Sequence, residues 1–301
     1  MSRTSSEIPL QTHHIGRQFG QKTILSGISL SLTAGRVCAL LGVNGAGKTT
    51  LLKLLMGLIE PTIGHSRLWG TSSWPAVHNQ LRRVGCLLDR FEPFDAMPIS
   101  ELVPLSQALG PHFDVDRLKA LLSSKQVQGT CRWGRLSKGQ KRWVLLSHLL
   151  CRGCELLLLD EPADGLDPQS RIDLYKLIRQ EANNRNVAAL IATHVIHDVE
   201  RVADEVCILH QGQILLHADL EELREQITVI TCSEPPTQLP QGVHVLHVSS
   251  GPLCEVCLRE TSGKLAPIPG ELERRRIGLE DLFLLLTRPS AATSDTAPVL
   301  E

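Results

Sequence analysis

Two runs of residues have the types and spacing to do chemistry. The first is Gly42-Val43-Asn44-Gly45-Ala46-Gly47-Lys48-Thr49, followed by Thr50. Its glycines let consecutive backbone N–H groups turn toward one anion, and a helix beginning at Lys48 adds its positive end. Such a loop suits a phosphate chain. Lys48 would bridge the β- and γ-phosphates, the Thr49 hydroxyl would hold Mg2+, and Thr50 would touch the α-phosphate. The second run is Asp160-Glu161, placed after the four leucines Leu156 to Leu159. Two carboxylates at the tip of a buried strand stand where a parallel sheet presents its ligands. Asp160 would hold Mg2+, and Glu161 would polarise an attacking water. Alone, the first run is also readable as a glycine turn and the second as an exposed acidic strand end. Their occurrence in this order within one sheet favours a joint site.

The elements around them fit that role. Val37 to Leu41 is apolar throughout, as a strand buried on both faces must be, and it delivers the glycine loop. Lys48 to Leu58 consists of good helix formers, closed by Pro61 and Gly64. Ile24 to Leu32, Leu156 to Asp160 and Val187 to Thr193 read as further strands, with a helical stretch from Ser170 to Asn183 between the last two. Strands alternating with helices imply a parallel sheet covered on both sides. Strand signals fade between 81 and 136, where Ile99 to Ala108 and Val115 to Ser123 read as helices of an inserted subdomain. Past about 225 come short alternating runs, Ile227 to Cys232, Val243 to Val248 and Leu253 to Leu258, and then an amphipathic helix over Leu279 to Leu286. The expected division is a core at 8–225, an accessory domain at 226–288 and a disordered tail at 289–301.

Composition narrows the functions available. The 301 residues are 42% hydrophobic and 21% charged, enough for a sizeable core. A formal charge of -1 gives no electrostatic footprint for nucleic acid or an anionic membrane surface. The longest apolar candidate, Val144 to Leu159, is interrupted by His148, Arg152 and Glu155, short of the roughly eighteen apolar residues of a membrane span. The first twenty residues lack the apolar core of a signal peptide, so a cytoplasmic location is expected. The nine cysteines read as free, buried hydrophobes. Cys151-x-x-Cys154 and Cys254-x-x-Cys257 have zinc-knuckle spacing, but the second pair falls in a strand where positions three apart face opposite sides. His13 and His14 read as a solvated turn.

A third element is Leu136-Ser137-Lys138-Gly139-Gln140, ahead of a helical run from Lys141 to Leu150. By itself this is a helix cap with an anion-binding end. With Gly42 to Thr49, Leu156 to Glu161, Gly165-Leu166-Asp167 and His194, however, its order resembles the nucleotide-binding subunits of ABC transporters over about residues 8 to 225. The resemblance implies an α/β fold: a P-loop ATPase core with a mostly parallel sheet, antiparallel N-terminal strands, an inserted helical subdomain and a small C-terminal α+β accessory domain. It implies ATP and Mg2+ as ligands. Two subunits would pair head to tail, each ATP lying between one phosphate loop and Ser137, Gly139 and Gln140 of the other chain. Phe19 would stack on adenine, His194, ahead of a helix expected from Val195 to Val206, would contact the γ-phosphate, and Asp167 would act across the dimer.

Two positions depart from the family pattern. Asp89 stands where a glutamine usually approaches Mg2+ and couples to the membrane partner, and Lys138 replaces a glycine of the signature. The segments Glu200 to Leu215 and Leu279 to Arg288 resemble the exporters of drugs, lipids and antibiotic peptides. The implied partners are a like or related ATP-binding subunit and a polytopic permease, which would hold the chain at the cytoplasmic membrane face. The alternative is a soluble ATPase of the same type acting on ribosomes or DNA.

Overall fold

The computed structural model describes residues 8–88, 93–110, 112–236, 238–249, 254–260 and 268–287. Contacts divide the chain into two units, Met1–Ile214 and Leu215–Glu301.

The first unit opens with β1 (Leu10–Phe19) and β2 (Lys22–Leu32), an antiparallel pair. Along β2, Leu25, Ile28, Leu30 and Leu32 are buried. The Thr12 hydroxyl donates to the Ile28 carbonyl at 3.0 Å and accepts from the Leu30 N–H at 2.7 Å. His13 and His14 are exposed, as expected, but they belong to β1 and not to a turn. A register shift after Thr12, with His14 at φ 44°, breaks the alternation by which a strand is recognised.

Strand β3 (Val37–Leu41) leads through the glycine loop into α1 (Lys48–Leu55). Then β4 (Ile63–Leu68) and β5 (Thr71–Ser72) complete a sheet ordered β2-β1-β4-β5. The chain continues through α2 (His78–Leu81), β6 (Val84–Leu87), α3 (Leu102–Leu109), α4 (Val115–Ser123) and α5 (Lys138–Leu150). It ends with β7 (Leu156–Asp160), α6 (Pro168–Arg185), β8 (Ala188–Thr193), α7 (Ile196–Val199), β9 (Glu205–His210) and β10 (Gln213–Asp219). The unit boundary falls inside β10.

The second sheet runs β10-β9-β3-β8-β7-β6, and β3 pairs parallel with both β8 and β9, β7 with both β8 and β6. Strands β3, β7 and β8 are buried along their whole length. Leu41 is level with Thr193 and Asp160 with Ala192. All three strands therefore end at one edge, where the next residues, Gly42, Glu161 and His194, emerge together.

Three boundaries differ from expectation. The stretch 81–136 begins with β6, an edge strand of four residues, so the helical insertion starts only after it. Its core is formed by Ile99, Leu102, Leu118, Leu122 and Trp133. The helix expected from Val195 to Val206 is a single turn, α7, because the chain must return to pair β9 with β3. The core was expected to end at 225, where composition changes. The units part at Ile214, so Leu215–Asp219 and α8 (Leu220–Gln226) group with the C-terminal unit by their contacts.

That C-terminal unit contains β11 (Ile227–Cys232), β12 (Val243–Val248), β13 (Cys254–Glu260) and β14 (Glu271–Arg276) in an antiparallel sheet ordered β12-β13-β11-β14. Helix α9 (Leu279–Thr287) buries Leu282, Phe283 and Leu285. Cys254 packs with Val256 and Leu258 on one face of β13, and Cys257 points to the other. The expected tail at 289–301 and Asp89 lie outside the described residues.

His148, on α5, is buried and accepts or donates one hydrogen bond, between Nδ1 and the Ser106 hydroxyl at 2.8 Å, while its Nε2 has no partner. Burial lowers its pKa from 6.5 to about 4. Between these values the unfolded chain binds a proton that the folded chain refuses, so stability falls as pH falls. From pH 7 to 5 the wild type should lose about 2 kcal/mol relative to His148→Leu, read by urea unfolding at each pH. Parallel pH profiles would refute the assignment.

Candidate functional site

The glycine loop is shaped by close approach on both sides. A Cβ on Gly42 would lie 2.7 Å from the Leu209 carbonyl oxygen, and Gly47, at φ 110°, would press one within 2.7 Å of the Leu25 side chain. Lys48 is 6% exposed, and its ammonium folds back over the loop to donate to the Gly42 carbonyl at 2.6 Å. The same ammonium lies 3.6 Å from Glu161 Oε1. Thr49 Oγ1 donates to Asp160 Oδ2 at 2.5 Å. Loop residues Val43, Asn44 and Gly45 are exposed, Ala46 is buried, and Thr50 is half-buried on α1. The loop mouth is thus open while its cation is sheltered.

Glu161 turns sharply off the end of β7 with φ 44°, a left-handed conformation that a residue with a Cβ adopts only at a cost of about 1–3 kcal/mol. Several bonds hold it there. Its N–H donates to the Ala192 carbonyl at 2.8 Å, Thr193 Oγ1 donates to Oε2 at 2.8 Å, and His194 Nδ1 meets Oε1 at 2.7 Å. Arg142, buried on α5, reaches beneath the turn. Its guanidinium donates to the Asp160 and Glu161 carbonyls at 2.5 Å each and to the Pro162 carbonyl at 3.3 Å. Sequence reading identified neither Arg142 nor Thr193. The available signals were an arginine among the apolar neighbours Trp143 and Val144, and a hydroxyl at a strand end beside His194.

The structure therefore brings Lys48, Thr49, Asp160, Glu161 and His194 together. It places the signature elsewhere. Ser137 caps α5 in a reciprocal arrangement: the Gln140 N–H donates to Ser137 Oγ at 3.2 Å, and the Ser137 N–H donates to Gln140 Oε1 at 3.1 Å. Gly139 packs on Gly165, whose carbonyl oxygen would be 2.6 Å from an added Cβ. Lys138 Nζ meets Asp164 Oδ2 at 2.8 Å, and that bond holds the Asp164 carboxyl below its usual range. Asp167 caps α6, accepting from the Ser170 hydroxyl and N–H, and these bonds lower its pKa too. The segment facing the signature in its own chain is thus Asp164 to Asp167, not the phosphate loop. Phe19, at the end of β1, is 48% exposed, with the Arg17 guanidinium 4.5 Å from its ring centroid.

The chain is similar to known proteins. The family model for ABC transporters matches residues 25–164. Nod factor export ATP-binding protein I of Burkholderia orbicola (strain AU 1054) is 32% identical over 299 residues, covering 94% of this chain and 98% of that protein. The chain belongs to the ABC transporter ATP-binding family. Another relative within the ABC family, the bacitracin transport ATP-binding protein BcrA of Bacillus licheniformis, is 28% identical and covers 72% of each chain. A solved structure of an ATP-binding subunit of an ABC transporter superposes with a TM-score of 0.66 at 24% identity, covering 71% of this chain and 91% of that one, which shows the fold. The ABC fold and an ATPase activity follow from membership, as the motif order implied.

Because Arg142 braces three successive carbonyls under the Glu161 turn, Arg142→Met should lower the maximal ATPase rate about a hundredfold. The ATP concentration for half-maximal rate should change far less, since the phosphate loop is untouched. An unchanged maximal rate in steady-state assays would show that the turn holds its shape without the guanidinium.

Proposed function

We propose that this chain binds and hydrolyses ATP as one of two paired subunits and drives a separate membrane permease, with export as the direction. One observation carries the reading: a sheltered lysine, a hydroxyl, two carboxylates and a histidine from three neighbouring strand ends converge on the mouth of a glycine loop.

In this reading the N–H groups from Val43 to Thr49 cradle the phosphates, and Lys48 exchanges the Gly42 carbonyl for the β- and γ-phosphate oxygens. Thr49 and Asp160 are adjacent hard oxygen donors, and so fit Mg2+. The ion, when bound, neutralises phosphate charge. Thr50 reaches toward the α-phosphate, and Phe19 offers an exposed ring for adenine to stack on. Glu161 orients the attacking water, with one oxygen held by Thr193 and the other shared with His194 and, at longer range, Lys48. His194 is exposed beside that carboxylate, suitably placed to meet a γ-phosphate. Such groups, fixed before the substrate arrives, lower the barrier without reorganising.

Pairing is supported by the position of the signature. Ser137 and Gly139 stand at the N-terminus of the thirteen-residue α5, an anion-binding end, yet pack toward Asp164 to Asp167 of their own chain. A phosphate meeting them would belong to another subunit, with Gln140 fixing the Ser137 hydroxyl and Asp167 near the junction. The same pairing would be formed with a like subunit or a related one. A permease is needed for transport, since no helix among the described residues is long and apolar enough to cross a membrane. Export is supported by the Nod factor relative, whose match extends over nearly all of both chains. Association with the permease would place the chain on the cytoplasmic face, and Asp89 is the candidate coupling residue. The near-neutral charge offers no support for a nucleic-acid partner.

Glu161→Gln keeps the size of the side chain but removes its charge. It should bind ATP, accumulate as an ATP-bound dimer in size-exclusion chromatography, and hydrolyse ATP at least about a hundredfold more slowly. Wild-type turnover in that variant would remove Glu161 from its role. Gentle detergent extraction of cells should co-purify a polytopic membrane protein, identified by mass spectrometry. Recovery with ribosomes alone would support the soluble alternative instead.

A further inference from the structure

Helix α6 and the turn α7 flank a half-open cavity of about 700 Å³, a size suited to a small molecule. Leu166, Pro168 and Ile172 give it apolar walls. Tyr175 also lines it, only 6% exposed, and its hydroxyl is buried with no hydrogen-bond partner. Buried polar groups are nearly always paired, so an orphan phenol in the wall of a cavity calls for a ligand. Burial and the neighbouring Asp198 carboxylate keep this phenol above its usual range, so at neutral pH it is a donor.

The charge around the cavity is mostly positive, with Asp198 the one carboxylate in its lining. Arg171 is held by Asp198 at 3.3 Å and Arg179 by Asp204 at 2.6 Å. Lys176 and Arg201 also line the cavity, and neither is in an ion pair among the described residues, although Lys176 is near enough to Asp173 to help lower that carboxyl's pKa. Arg201 meets the ring of His197 at 3.1 Å. An apolar wall, two cations outside any ion pair and a donor hydroxyl together match an anion carried on an apolar body. None of these residues belongs to the phosphate loop or the Glu161 turn.

We propose that this cavity is a second binding site, specific for a small amphiphilic anion, whose carboxylate or sulfonate answers Lys176 and Arg201 and accepts a hydrogen bond from the Tyr175 hydroxyl. Because the cavity is bounded by the segments that follow Asp167 and His194, its occupant touches the elements leading away from the ATPase site. The binding itself does not depend on ATP turnover.

The test is a fluorescence titration of the nucleotide-free, full-length protein with 1-anilinonaphthalene-8-sulfonate, competed with laurate. Saturable binding of one probe per chain is expected, displaced by laurate and not by ATP. Lys176→Glu and Arg201→Glu should each weaken it about tenfold. Tyr175→Phe should weaken it similarly while leaving the melting temperature unchanged or higher, a pattern that a purely structural tyrosine would not give. Lys119→Glu, on the exposed face of α4, serves as the control and should bind as wild type. Equal affinity in all four variants, displacement by ATP, or loss of the probe when Glu161→Gln dimerises with ATP would overturn the proposal. The last result would assign the cavity to a second copy of the chain.

Discussion

The hydrogen bond from Thr49 to Asp160 joins the first turn of α1 to the end of β7 and unites two clusters that are 111 residues apart in the chain. It exists because β3, β8 and β7 run parallel and in register, Leu41 level with Thr193 and Asp160 with Ala192. A strand buried on both faces can carry charge only where it stops. Every polar group of the site therefore collects at one edge of the sheet, and the apolar lengths of the strands fix the spacing between them. Asp160 itself is 2% exposed, so the Thr49 hydroxyl also answers part of the cost of burying its carboxylate.

Glu161 adds a second requirement, since its left-handed backbone is not a conformation the residue would choose. The turn is stabilised from above by Thr193 and His194 and from below by Arg142. Arg142 lies just over one helical turn after Ser137 on the same helix. The helix that presents the signature at its N-terminus thus also supports the turn that presents Glu161. A displacement of α5 driven at Ser137 would be felt at the Glu161 carbonyl through a rigid guanidinium and not through a chain of loose contacts.

Much of this was legible in the sequence, and the physical reasons are particular. Val37 to Leu41 is a continuous apolar run leading directly into the glycine loop, and Leu156 to Asp160 one that ends in a carboxylate, so both strand and site were readable at once. Strand β1 was not, because its bulge near His14 interrupts the alternation. The helix read from Val195 to Val206 follows Val195, Val199, Val202 and Val206, a helical spacing produced by one short turn running into a strand. Arg142 and Thr193 were invisible for a different reason. Each acts by bonding to a residue distant in sequence, and no local pattern marks such a partner.

The contact between the signature and the segment before Asp167 shows which force binds them. Lys138 and Asp164 form an ion pair, but both side chains are largely exposed, and exposed pairs contribute only about 0–1 kcal/mol. The packing of Gly139 on Gly165 is less negotiable: an added Cβ on Gly139 would sit 2.6 Å from backbone, where nothing flexible can yield. Gly165, at φ 79°, would in turn bring a Cβ to 3.0 Å from the Lys138 side chain. Close backbone approach, more than charge, therefore fixes how the signature packs on the Asp164–Asp167 segment. In the proposed pair, a phosphate engaging Ser137 would reposition Asp167 together with it, so a single contact with ATP across the interface would be reported at two points of the same chain.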